Sequence, residues 1–228
     1  MAIKARALRE EDKQQRRQEI LDAAERLFCA RPDGLASMDE LAEAAGLAKG
    51  TLYLYFRSKE EVLVALHERH AIEFFRRLHA LLDREQAPSI DELIALGREL
   101  FIEQPVRLSL ASLVVGLTER QVAPEAALRF KMALGERLLA AGQALDARLG
   151  LAPGEGTRLL NASYALVIGM WQLKGCMGGE RYRELLDPKL ARAFVSEYPA
   201  ETTAAIRTLW ETAVAGAADR ARRAGASA

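Results

Sequence analysis

An all-α fold is predicted for this 228-residue chain by three features. Apolar residues recur at helical spacing almost throughout. Alternating apolar and polar runs are short, and no Asn-Gly hairpin turn appears. Serines stand three positions before glutamates at Ser37/Glu40, Ser58/Glu61 and Ser89/Glu92, the reciprocal signature of a helix N-terminus. Half the residues are apolar and 28% are charged, which suits a globular protein able to bury a core.

Residues 1–11 read as a flexible basic arm. Lys4, Arg6 and Arg9 there, with Lys13, Arg16 and Arg17 beyond, face Glu10, Glu11 and Asp12. A helix over 12–30 follows, with Ile20, Leu21, Ala24, Leu27 and Phe28 on one face and Cys29 beside it as a small core residue. Pro32-Asp33-Gly34 ends it with turn chemistry. Ser37 and Glu40 then start a short helix at Met38. Leu41, Ala42 and Ala45 share its inner face, and small Ala42 allows a close crossing. Gly46 supplies the positive φ of a sharp turn. A second short helix runs from 48 to 56, with Leu47, Leu52 and Tyr55 inward. This is helix-turn-helix spacing.

Ser58 and Glu61 open a long helix, 59–84, whose first-turn N–H groups beside Lys59 make a seat for a phosphate. Phe74, Leu78, Leu81 and Leu82 continue its apolar stripe. Ser89 and Glu92 begin a helix over 90–103, Pro105 breaks it, and another covers 106–118. Pro124 starts a helix reaching Leu149. Residues 150–156 are a glycine-rich loop, 157–176 an apolar helix, and Gly175 to Gly179 its close. Pro188 and Pro199 break the mixed stretch 180–198. A last helix spans 200–222, and 223–228 form a frayed tail.

The outward face of the 48–56 helix carries the chemistry. Lys49 offers a cation to phosphate or to guanine acceptors. Gly50 has no side chain, so backbone can approach a duplex closely. Thr51 and Tyr53 bring hydroxyls to phosphate oxygens, and Leu54 suits a thymine methyl. An ordinary helical hairpin is the alternative, but the caps, the glycine and the small crossing residue agree with each other.

Residues 24–28 (AERLF) and 37–66 (SMDELAEAAGLAKGTLYLYFRSKEEVLVAL) resemble the DNA-binding domain of the TetR family of transcriptional regulators. The resemblance implies an N-terminal three-helix helix-turn-helix domain, here 12–63, and a larger C-terminal helical bundle that dimerises and senses ligand, here 64–222. It implies a homodimer, most often a repressor, released from a near-palindromic DNA operator by a small-molecule effector. It assigns DNA contact to Lys49, Gly50, Thr51, Tyr53, Tyr55 and Lys59, and Ser37 and Leu54 are expected to join them. Some relatives carry a larger aromatic or a histidine at position 54 or 55, so Leu54 and Tyr55 leave the base-reading rule open.

Other features exclude or weaken rival classes. Net charge is zero and pI about 6.9, yet phosphate contact needs only a local basic patch. Two cysteines, Cys29 and Cys176, make no disulfide framework and fit a reducing cytoplasm; Cys176 beside Lys174 is a minority candidate for a redox thiol. The charged N-terminus lacks a signal-peptide core, and the most apolar stretch, 162–173, is too short to span a bilayer. Lys49-Gly50-Thr51 lacks the order and the strand of a phosphate loop. No metalloprotease, dinucleotide or nucleophile-elbow motif appears, so no enzyme and no cofactor is expected. His67, His70 and His79 lie on the long helix. His67 and His70 could share a metal with Glu73, but packed or solvated histidines are the better reading, and no metal site is expected. Phe101, Gln104, Arg107, Phe130, Tyr164, Met170 and Trp171 suit either a core or a ligand pocket. Leu159, Leu166, Ile206 and Trp210 are placed at a dimer interface, since the resemblance predicts a four-helix dimer contact at this place in the chain, with a protomer core as the alternative. An adaptor with an inert helix-turn-helix, and an activator, remain as rivals.

Overall fold

The computed structural model describes residues 2–31, 36–178, 187, 189 and 197–226, and no strand occurs among them. Its elements are α1 (Ala2–Ala30), α2 (Met38–Ala44), α3 (Lys49–Tyr53), α4 (Lys59–Leu82), α5 (Ile90–Gly97) continued by a π-helical stretch (Arg98–Ile102), α6 (Pro105–Arg120), α7 (Pro124–Leu149), α8 (Glu155–Gly178) and α9 (Tyr198–Ala226). They fall into two compact units. One comprises Met1–His70 with Ser109–Lys131, the other Ala71–Leu108 with Met132–Ala228.

Several boundaries differ from those expected, among them the end of α3, at Tyr53 rather than 56. Helix α1 begins at Ala2, so the expected arm over 1–11 is helical from residue 2. Its Lys, Arg, Glu and Ala are good helix formers, and no Gly or Pro precedes Pro32. Pro199 lies in the first turn of α9 rather than breaking the chain, at a place where a missing N–H costs nothing. The same helix continues to Ala226 through most of the expected frayed tail. Pro32-Asp33-Gly34, most of 180–198 and the Cys176 side chain lie outside the described residues.

In the first unit α1 packs on α2, and α2 on α3. Ile20, Leu21, Ala24 and Phe28 of α1 are buried with Leu41 and Ala42 of α2 and Leu52 of α3. A five-residue helix cannot stand alone. Leu52, fully buried, anchors α3, and its burial contributes about 2 kcal/mol. Phe56, not Tyr55, is the second inward residue of this segment: it is buried, while Tyr55 is half-exposed. Arg17 lies over the Phe56 ring at 5.2 Å. Cys29 is exposed rather than part of the core, because one position past Phe28 turns it about 100° off the buried stripe.

α4 is tied to α1 by charge. Arg69 donates to Asp22 at 2.5 Å and to Glu25 at 2.6 Å, and Nε2 of His70 meets the other Glu25 oxygen at 2.7 Å. His67 is 4% exposed and its ring lies 6.0 Å from that of Phe130. Burial first, then the neighbouring His70, lowers the His67 pKa to about 4. The unfolded chain takes up this proton near pH 6.5, and the folded one only near 4. Stability is therefore complete above pH 6.5 and falls as pH drops towards 4, by about 3 kcal/mol in full. Urea unfolding between pH 7 and 4 should show that slope, and His67→Phe should flatten it. An equal slope in the variant would remove His67 as the cause.

In the second unit α8 and α9 pack side by side, and α9 also meets α5 and the π-helical stretch. Leu159, Ile206 and Trp210 are buried, and Trp210 Nε1 donates to Ser163 Oγ at 2.8 Å. Ser89 and Glu92 form the expected reciprocal cap of α5. Arg77 grips Glu99 through two bonds of 2.5 and 2.7 Å, Arg84 meets Glu92 at 2.8 Å, and Arg207 of α9 meets Asp91 at 2.5 Å. α7 and α8 cross at Gly142 and Gly156, which lie backbone to backbone. The Asp146 carboxylate accepts from the N–H groups of Gly154 and Gly156 at 2.7 and 2.6 Å, capping the start of α8. No single helix among the described residues is long and apolar enough to cross a membrane.

Candidate nucleic-acid interface

Ser37 caps α2 as its sequence requires. Its Oγ accepts from the Glu40 N–H at 3.2 Å, and the Glu40 carboxylate accepts from the Ser37 N–H at 2.8 Å. The hydroxyl proton stays available to a phosphate oxygen. Glu40 is held down to about pKa 2 by the Ser37 backbone and side-chain bonds and by Arg31. Ala45 closes α2, and Gly46 turns the chain at φ 66°. The Leu47 N–H returns to the Ala42 carbonyl at 2.9 Å. This bond ties the entry to α3 back onto α2 at buried Ala42.

The turn leaves one side of α3 open. Lys49 and Gly50 are exposed, Thr51 is half-exposed, Tyr53 is 44% and Leu54 79% exposed. An added Cβ at Gly50 would meet nothing within 4 Å. Lys49 Nζ meets both carboxylate oxygens of Asp39, at 2.7 and 2.9 Å. The Asp39 bond and charge raise the lysine's pKa, so it stays charged. That partnership was not legible in the sequence, where Asp39 is one acid in a first helical turn. The two residues meet only because α2 and α3 cross.

Helix α4 begins at exposed Lys59. Ser58 Oγ accepts from the Glu61 N–H at 3.2 Å, but the Glu61 carboxylate reaches back to the Arg57 N–H, at 2.9 Å. Tyr55 lines an open groove of ≈ 570 Å³ with Lys13, Gln15 and Arg16 of α1. The residues assigned to DNA contact thus lie at the N-cap of α2 (Ser37), in α3 (Lys49, Gly50, Thr51 and Tyr53), just after it (Leu54 and Tyr55) and at the first position of α4 (Lys59).

The residues grouped as a pocket are divided between the two units. Phe130 belongs to the first unit, while Phe101, Gln104, Arg107, Tyr164, Met170 and Trp171 belong to the second. Phe101 packs edge-on against Phe74 at 5.3 Å, and Trp171 against Tyr198 at 5.4 Å. Gln104 and Arg107 donate to the carbonyls of Glu99 and Leu100, at 3.2 and 3.3 Å, closing the π-helical stretch. Tyr164 is raised to about pKa 12 by burial. Of the residues weighed as a dimer face, Leu159, Ile206 and Trp210 are covered within the protomer and Leu166 is half-exposed. Among the described residues no group of His, Cys, Asp or Glu is arranged to hold a metal.

Residues 20–66 match the family model of the bacterial regulatory proteins of the tetR family, and residues 68–218 match that of the tetracyclin repressor-like C-terminal domain. The chain belongs to the TetR family. An HTH-type transcriptional regulator of Mycobacterium tuberculosis is 44% identical over 59 residues, 26% of this chain and 29% of the relative. The HTH-type transcriptional repressor NemR of Escherichia coli is 35% identical over 79 residues, 35% of this chain and 40% of NemR. The chain therefore spans well under half the length of these curated relatives in its matches. A solved TetR-family regulator of Mesorhizobium loti superposes with a TM-score of 0.57 at 19% identity, over 88% of this chain and 96% of that one. At that identity it speaks for the fold alone. The shared TetR fold is all-α, an N-terminal helix-turn-helix followed by a helical C-terminal domain.

Proposed function

We propose that this protein is a sequence-specific DNA-binding repressor, acting as a homodimer in the cytoplasm on a near-palindromic operator and released by a small-molecule effector. The open outward side of α3, held by Leu52 and a capped α2, carries this reading. Ser37, Lys49, Thr51, Tyr53, Tyr55 and Lys59 supply donors to phosphates and base edges, Gly50 the close approach and Leu54 an apolar contact. Residues 12–63 carry DNA binding and 64–222 sensing and dimerisation. Two copies of α3 would enter successive major grooves roughly 34–36 Å apart. An effector that binds one conformer better, and only such an effector, shifts the protein away from operator geometry. Tyr164, Met170 and Trp171, on neighbouring turns of α8, are its proposed contacts.

Selection of bound duplexes from a random pool tests the reading. It should return one motif with two half-sites about 10 base pairs apart. A pool with no enriched motif would favour an adaptor. Lys49→Ala should weaken the selected duplex by roughly 1–3 kcal/mol with circular dichroism unchanged, because the exposed Lys49–Asp39 pair contributes little to stability. Equal affinity in a titration at fixed salt would remove Lys49 from the interface.

A further inference from the structure

The two acids in the first turn of α2 are both paired, on different terms. Glu40 completes the helix cap and takes Arg31 Nη2 at 2.8 Å. Asp39 takes no part in the cap. Its carboxylate holds Lys49 Nζ through both oxygens, across the turn between α2 and α3. The Asp39 and Lys49 side chains are 65% and 55% exposed, and a pair so wet adds little to the fold. Its effect is local: it cancels the only cation of α3, whose sequence is KGTLY.

We propose that Asp39 is a positioning residue for sequence discrimination, restraining Lys49 against plain phosphate and aiming it at base acceptors. The inference rests on the DNA-binding reading above. A free ammonium is drawn to phosphate on every sequence, which is the origin of non-specific affinity. An ammonium already against a carboxylate gains little from a further anion, and the carboxylate repels phosphate. A base edge is a different partner. Guanine presents O6 and N7 side by side in the major groove, and both are neutral acceptors. The ammonium has three N–H groups, so it can keep Asp39 and still donate to a guanine. Holding Nζ also removes the freedom of a flexible four-carbon stem, so Lys49 is less able to re-aim at a mismatched base.

Asp39→Asn removes the charge, keeps the shape and leaves the Ser37–Glu40 cap in place. The test measures the full chain by fluorescence anisotropy on two duplexes, one selected from a random pool and one scrambled, across a salt series. With Asp39→Asn the scrambled duplex should bind several-fold tighter at low salt. The slope of log K against log salt should steepen by about 0.9 for each Lys49 released. The selected-to-scrambled ratio should fall roughly tenfold. In a Lys49→Ala background most of these changes should vanish. An unchanged slope and ratio would overturn the proposal, as would equal losses on both duplexes, which mark a merely structural role. A full effect without Lys49 would overturn it too, since Asp39 would then act on phosphate directly. If the wild-type chain binds neither duplex, the DNA-binding reading itself fails, a result visible before any variant is made.

Discussion

Gly142→Ala is expected to destabilise the second unit by a net of about 2 kcal/mol, although alanine is the better helix former by about 1 kcal/mol. A Cβ at Gly142 would lie 2.0 Å from Thr157 Oγ1, 2.7 Å from Thr157 N and 2.8 Å from Thr157 Cα. The hydroxyl can swing away, but the backbone atoms move only if α8 does. The opposing face is as tight: a Cβ at Gly156 would lie 2.4 Å from the Gly142 carbonyl oxygen and 2.8 Å from Leu145 Cβ. Separating the helices would also stretch the two bonds by which Asp146 caps α8. Overpacking of this kind costs about 1–3 kcal/mol or more, and contact with backbone puts this case at the upper end. Gly135 is the control. It lies on the same helix with nothing within 4 Å of an added Cβ, so Gly135→Ala should stabilise by up to about 1 kcal/mol. Urea unfolding at one fixed protomer concentration gives both values, as the proposed homodimer requires. If both variants gained stability, the close crossing of α7 and α8 would be wrong.

That crossing marks where sequence reading stopped. The glycine-rich loop at 150–156 was visible as a connection, but Gly142 sits inside a helical pattern and looks like an ordinary weak point. Local chemistry was legible: the Ser37/Glu40 and Ser89/Glu92 caps and the positive φ of Gly46 depend on residues within four positions of each other. The outward face of α3 followed from them, because its orientation is set by the same turn. What depends on residues far apart was not legible. Asp39 and Lys49 are ten positions apart and meet only through the α2–α3 crossing. Glu25, Arg69 and His70 form one cluster across 45 positions, and His67 and His70 are both buried rather than an open pair. Charge could not separate an irregular arm from a helix at the start of α1, since Lys, Arg and Glu serve both. Leu159, Ile206 and Trp210 read as a dimer interface, with a core as the alternative, because periodicity reports only that a face is covered, not by what. The α8–α9 packing covers them within one protomer.

Gly50→Leu should separate folding from DNA binding more sharply than any other single change. Gly50 lies in α3 at an ordinary helical φ, exposed, with open space where a side chain would go. The fold therefore has no objection to leucine, and helix propensity predicts a gain of up to about 1 kcal/mol. A duplex would object strongly. In the proposed complex Gly50 is where α3 backbone comes nearest the groove, between Lys49 and Thr51. A four-carbon side chain there must either displace the helix or be buried against polar base edges and phosphates. Displacement of about 1 Å breaks hydrogen bonds whose donor–acceptor distances span only about 2.7–3.2 Å, and it breaks several at once. Losing two or three contacts of about 1–3 kcal/mol each predicts affinity down by roughly a hundredfold or more. Scrambled duplex should weaken too, because the obstruction acts on any sequence. Lys49→Ala, which removes one partner and leaves the approach open, should cost less. Anisotropy titrations of both variants beside their urea curves make the comparison. A Gly50→Leu protein that is stable and still binds the selected duplex at wild-type strength would mean that this face of α3 does not enter a groove.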